Sequence, residues 1–148
     1  MTHDARGPAV GWFEEQSFFF PVRVYYEDTD LSGVVYHAGY LRFMERGRSE
    51  FLRAAGVPHQ TLLATEEPHF WVVRRMKIEF LRPARLDEAL FVRSKVLELG
   101  GARMRLEQAV CRGDEVLASA EVEVCIVGAD GKLRRVPEPM RRKLQTYL

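Results

Sequence analysis

The chain has 148 residues, 47% of them hydrophobic and 29% charged, with a formal net charge of +1. That length suits one domain with a real core, and that composition suits a globular one. The near-zero charge gives no support to a nucleic-acid or membrane-surface role, and no apolar run approaches the roughly 18 residues of a membrane span.

The chain opens on a polar, mixed stretch broken by Gly7, Pro8 and Gly11. We expect residues 1–17 to be a loose N-terminal segment, with Trp12 and Phe13 docking locally, ahead of one domain over residues 18–148. The first apolar run, Phe18–Phe20, is cut by Pro21 and Arg23, so it does not read as a secretory leader, and a cytoplasmic protein is expected. Phe18 to Glu27 alternates, with Phe18, Phe20, Val22, Val24 and Tyr26 on one face, which predicts a strand. The acid-rich run EDTDLSGVVYH follows. A helix is then predicted from about Ala38 to Ala55, because Tyr40, Phe43, Met44, Gly47, Phe51 and Ala54 recur with a 3.6-residue period. Gly47 lies on that apolar stripe, where a helix must pass close to a sheet to justify the lost helix propensity. Gly56 and Pro58 end the helix.

Residues 58–67 read as a short helix or turn. Strands are predicted over His69–Leu81, Ala89–Leu99, Ala102–Arg112 and Glu115–Val127, with a short last one at Leu133–Val136. Gly113–Asp114 and Gly128–Lys132 supply hairpin turns. Both faces of the early part of His69–Leu81 are apolar, so a second surface, such as another subunit, is expected against Val72 and Val73. A basic helix closes the chain from near Pro139. One long amphipathic helix and a run of antiparallel strands, without β-α-β alternation, predict an α+β fold with a single curved antiparallel sheet around the helix.

Dinucleotide, P-loop, zincin and serine-hydrolase signatures are absent, and His3, His37, His59 and His69 lack metal-ligand spacing. Cys111 and Cys125 sit in apolar runs without C-x-x-C spacing and read as buried free thiols. Glu27, Asp28 and Asp30 crowd a strand end. On residue types alone they make a solvated turn or a catalytic cluster. His37 at the helix start reads equally as a locally packed residue, and Tyr26 as ordinary core.

The run VRVYYEDTDLSGVVYHAG (residues 22–39) resembles the signature of hotdog-fold acyl-CoA thioesterases of the 4-hydroxybenzoyl-CoA thioesterase type. Within them it looks closest to the branch associated with the Tol-Pal envelope system. The likeness continues through the helix and VVRRMKIEFLRPARLDE (residues 72–88) into the strand after Gly113. It departs at Leu31–Ser32, where that branch more often has two small residues. The resemblance implies hydrolysis of an acyl-CoA thioester to a free acid and coenzyme A, with Asp30 as nucleophile or general base. His37 would place the thioester or assist the leaving thiolate, and Tyr26 would orient Asp30 or water. N–H groups near residues 35–38 would form the oxyanion hole. Arg103, Arg82 and Arg74 are the foremost coenzyme A contacts. Other arginines (Arg75, Arg85, Arg134 and Arg135) are weaker candidates. No metal or separate cofactor is implied, since coenzyme A is part of the substrate. A homodimer or homotetramer is expected, with acyl carrier protein as a further partner. Glu45 and Glu50 on the helix are read as structural, pairing with Arg42, Arg46 or Arg53. The alternatives are a dehydratase acting on 3-hydroxyacyl thioesters and a non-enzymatic adaptor for acyl carrier protein or envelope enzymes.

Overall fold

Alternating apolar residues build one sheet, and the 3.6-residue stripe lays one long helix across it. The computed structural model describes residues 10–148. Its strands are β1 (Trp12–Glu14), β2 (Ser17–Arg23), β3 (His69–Phe80), β4 (Ala89–Leu99), β5 (Arg103–Arg112) and β6 (Glu115–Gly128). All paired neighbours are antiparallel, in the order β1-β2-β4-β5-β6-β3. The helix α1 (His37–Ala54) lies on β2, β4 and β5, α2 (His59–Leu63) packs on β3, and α3 (Glu138–Gln145) reaches β4. This is the expected α+β arrangement.

The core sits between α1 and the inner face of the sheet. Phe43, Met44 and Phe51 from the helix meet Phe18, Val92, Leu106 and Val122, all fully buried. A Cβ added to Gly47 would stand 2.8 Å from Val92 Cγ1. The stripe residue without a side chain therefore marks the closest approach of helix to sheet. Beside it runs a buried polar strut. Gln108, with no exposed surface, donates from Nε2 to the Met44 carbonyl (3.0 Å) and to Ser94 Oγ (2.8 Å), and its Oε1 accepts from Arg48 (3.0 Å).

Four details differ from the sequence reading. Trp12–Glu14, expected to be loose, pairs with β2 in the register Trp12↔Phe19. Aromatic contact explains it. Trp12 stacks on Phe19, and Phe13 sits among Phe18, Phe51 and Tyr147. Residues 1–9, also expected to be loose, lie outside the described residues. Second, the strand predicted to Glu27 ends at Arg23, and Tyr26–Asp28 form a 3-10 turn. The Asp28 carboxylate accepts the Tyr25 N–H at 2.8 Å and turns the chain out of the sheet, leaving Tyr26 83% exposed rather than beside Val22 and Val24. Third, the short last strand reduces to a single bridge, Val127↔Leu133. Arg134 N–H goes to Ile126 and Val136 N–H to Gly101, so no ladder forms. Fourth, Ala54, expected on the helix stripe, is exposed, while Leu52 and Ala55, which widen that stripe, are buried. Cys111 and Cys125 are buried and unpaired, as expected.

Candidate active site

The acidic run becomes a tight loop between β2 and α1. Asp30 N–H donates to the Val34 carbonyl (2.9 Å), and Gly33 N–H donates back to the Asp30 carbonyl (3.1 Å). Gly33 closes this turn at φ +80, in the left-handed region that favours glycine. Bridges Thr29↔Val35 and Val34↔Arg85 tie the loop to itself and to the β3–β4 connection. The local fold thus aims Asp30 toward the start of α1.

Asp30 and His37 line one open hollow of about 430 Å³, together with Val34, Tyr36, Tyr40, Phe80, Leu81 and Arg82. The His37 ring lies 4.6 Å from the Phe80 ring. Tyr40 is buried, and its hydroxyl accepts the Ala84 N–H at 2.8 Å; burial pushes its phenol pKa up. Asp30 is held differently. Its Oδ1 accepts from the Ser32 N–H (2.8 Å) and the Ser32 hydroxyl (2.5 Å). The Ser32 hydroxyl is the foremost cause that holds the Asp30 carboxyl below the usual 3.8, and the Ser32 N–H is the next. Asp30 stays ionised under neutral conditions.

The start of α1 supplies free donors. Val35 N–H is spent on Ala84 and Tyr36 N–H on Asp28. The N–H groups of His37 and Ala38, in the first turn, have no acceptor among the described residues. A helix N-terminus with unspent donors favours negative charge. The hollow therefore combines an ionised carboxylate with His37, which opens the helix, and the unspent N–H groups of His37 and Ala38 belong to that first turn.

The structure does not gather every expected residue there. Tyr26 lines a separate shallow hollow with Tyr25, Glu27, Leu86 and Asp87. Arg82 reaches the Asp30 hollow and pairs with Glu115 at 3.5 Å. Arg103 lies at the opposite end of the sheet, beside Gly100 and Gly101. Arg74 sits at a bulge in β3, 3.7 Å from Glu123. Glu50 pairs with Arg53 (2.6 Å), whereas Glu45 accepts from Ser49 Oγ (3.0 Å). The expected Arg partner at Glu45 is replaced by this hydroxyl. Ser49 Oγ also lies 2.9 Å from His59 Nε2. With the single Ser49 proton given to Glu45, His59 Nε2 must carry the other hydrogen. These three residues, Arg48 and Trp71 border an apolar cavity of about 120 Å³ between α1, α2 and β3. Burial pulls the Arg48 pKa below its usual value. The carboxylate is bonded to the serine rather than to the imidazole, so this is not a nucleophile–base–orienter arrangement.

Sequence reasoning missed Ser32, which holds Asp30, and Phe80, which lines the hollow. Ser32 had a local signal, because a hydroxyl two residues after an aspartate is suited to a side-chain-closed turn. Phe80, some forty residues from His37, had none.

Residues 32–119 match the model of the Thioesterase superfamily. An acyl-CoA thioesterase, YbgC, from Haemophilus influenzae is 44% identical over 129 residues, covering 87% of this chain and 93% of that protein. An acyl-CoA thioester hydrolase, also YbgC, from an Escherichia coli strain is 42% identical over 113 residues, covering 76% and 82%. The crystal structure of a probable thioesterase from Bartonella henselae is 47% identical, with a TM-score of 0.78 over 80% of this chain and 98% of that one. With more than half of its length matched to the superfamily and its relatives aligned along most of theirs, this chain belongs to the thioesterase superfamily.

Proposed function

We propose that the protein hydrolyses acyl-CoA thioesters to a free acid and coenzyme A, with Asp30 as the reacting carboxylate. One observation carries this reading: in a member of the thioesterase superfamily, an ionised Asp30 shares a hollow with His37, whose backbone N–H heads α1 without an acceptor among the described residues. The carbonyl oxygen of the thioester gains negative charge as the carbon is attacked. The His37 and Ala38 N–H groups are the donors for it, each worth on the order of 3 kcal/mol in such a role. The lowered pKa of Asp30 favours the nucleophile over the general base, which works best with a pKa near the working pH. Carboxylate attack on the carbonyl carbon expels the thiolate and leaves an acyl–aspartate anhydride; water then cleaves the anhydride and restores the carboxylate. His37, at the mouth of the hollow, serves the departing thiolate. Tyr26 stands apart, so its support to Asp30 requires either movement or a second subunit.

A homodimer joined along β3 fits this chemistry. β3 is a twelve-residue edge strand with Phe70, Val72, Val73 and Phe80 exposed. Long apolar edges invite strand pairing. A two-fold axis near the middle of β3 sets the Phe80 end of one chain beside the His69 end of its partner. Arg103 of the second chain, in line with the His69 end of its β3, then approaches the first chain's Asp30 as a phosphate contact, alongside its own Arg82, while Arg74 lies near the axis. A homotetramer, an acyl-carrier-protein partner, a cytoplasmic location and a link to the Tol-Pal system are companion proposals resting on the sequence resemblance. The described residues contain no helix long and apolar enough to cross a membrane.

The test is Asp30→Asn. Turnover across a panel of short, long and aromatic acyl-CoAs, read as thiol release, is expected to fall at least a hundredfold with an unchanged circular dichroism spectrum. Wild-type rates in that variant would sink the assignment.

A further inference from the structure

We propose that Ser32 is a positioning residue for Asp30, its hydroxyl and backbone N–H together gripping one carboxylate oxygen so that the other always faces the hollow. This rests on the reading of Asp30 as the reacting group. Both donors converge on Oδ1, at 2.8 Å and 2.5 Å, while Oδ2 has no partner among the described residues. Whichever oxygen occupies the grip, the other points to the same place. A short hydroxyl–carboxylate bond of this kind is charge-assisted and stronger than a neutral one. The backbone N–H is supplied by any residue but proline at that position, whereas a hydroxyl on Cβ belongs to serine or threonine alone.

No other group near Asp30 holds its carboxylate in this way. Glu27 and Asp28 lie on the same loop, and Asp28 is occupied with the Tyr25 N–H. Tyr36, His37 and Tyr40 face the hollow from the head of α1, and Arg82 faces it from the β3–β4 connection. Arg85 reaches the loop through its bridge to Val34. None of these charges is among the causes that hold the Asp30 carboxyl low; hydrogen bonds from Ser32 lead them. The sign follows. A carboxyl held below its ordinary value stays ionised to lower pH, and losing the hydroxyl lets it protonate at a higher pH.

The experiment titrates the carboxyl carbons of the full chain labelled with 13C-aspartate, the Asp30 signal being the one lost in Asp30→Asn. In Ser32→Ala the Asp30 titration is expected to move to higher pH, and Ser32→Thr to restore it. The acid limb of kcat/KM for an acyl-CoA should move in the same direction. The plateau kcat should fall roughly three- to tenfold with little change in KM, as for an interaction that orients a reacting group. An Asp30 titration unchanged in Ser32→Ala and in Ser32→Gly overturns the proposal. A titration that moves while the acid limb stays fixed upholds the grip and overturns instead the role of Asp30 in the reaction.

Discussion

Val92 leaves no room for a methyl group on Gly47. A Cβ there would meet Val92 Cγ1 at 2.8 Å and Val92 Cβ at 3.2 Å, and a valine side chain is too short and stiff to swing aside. Overpacking costs about 1–3 kcal/mol, whereas alanine gains about 1 kcal/mol over glycine in a helix. Gly47→Ala is therefore expected to lower the urea midpoint, with a net loss of about 1 kcal/mol. In a Val92→Ala background the same change should cost less, since the two sites share one space. The reactive loop is controlled at the same resolution. Asp28 and Asp30 are two residues apart, yet one carboxylate turns the backbone through Tyr25 and the other is presented to the hollow through Ser32. Small polar contacts decide which acid bends the backbone and which lies at the hollow.

Among the elements, β1 and the turn that follows α3 are fastened by one aromatic cluster. Phe13 stacks on Tyr147 at 4.3 Å and meets Phe51 edge-on at 5.5 Å. Phe13→Ala is expected to cost about 2–3 kcal/mol, the lower range for a large side chain that is only partly buried. Amide exchange should accelerate in both β1 and α3, and acceleration confined to β1 would contradict the shared fastening. This contact also explains what the sequence hid. The period of α1 and the alternation of β3 to β6 are local patterns, and each was read to within a residue or two. A three-residue strand has no period to read, and its partner Tyr147 lies at the other end of the chain. The site divides in the same way. Asp30 and His37 lie in one short run, where residue types alone leave a solvated turn or a catalytic cluster and the resemblance singles out these two. Phe80 and Arg82 arrive through the sheet, and only the resemblance, not spacing, singled out Arg82. The extension of the first strand to Tyr26 failed because alternation carries no information about a side chain that captures its own backbone.

At the scale of the whole molecule, β3 is an edge strand of the described sheet, and the proposed dimer is built on that edge. Lysines on an edge strand oppose strand addition. The double variant Phe70→Lys/Val72→Lys is expected to lower the molar mass from light scattering to that of one chain, 17.1 kDa. Thiol release should fall with it, since the coenzyme A contacts are proposed to come from the second chain. A variant that stays dimeric, or a monomer that keeps full activity, would refute edge pairing or the shared site respectively. The same strand has a history during synthesis. Among the described strands its neighbour is β6, with Phe80 opposite Ala118 and His69 opposite Gly128. Roughly 40 residues must therefore be added after Phe80 before any pairing can begin. At about 5–20 residues per second a ribosome needs several seconds for that stretch. Throughout that interval an apolar ribbon hangs open on both sides, and β4, β5 and β6 must assemble as a meander before it can dock. Nascent chains stalled between residues 81 and 115 should thus be the most dependent on chaperones, a vulnerability written by strand order rather than by stability.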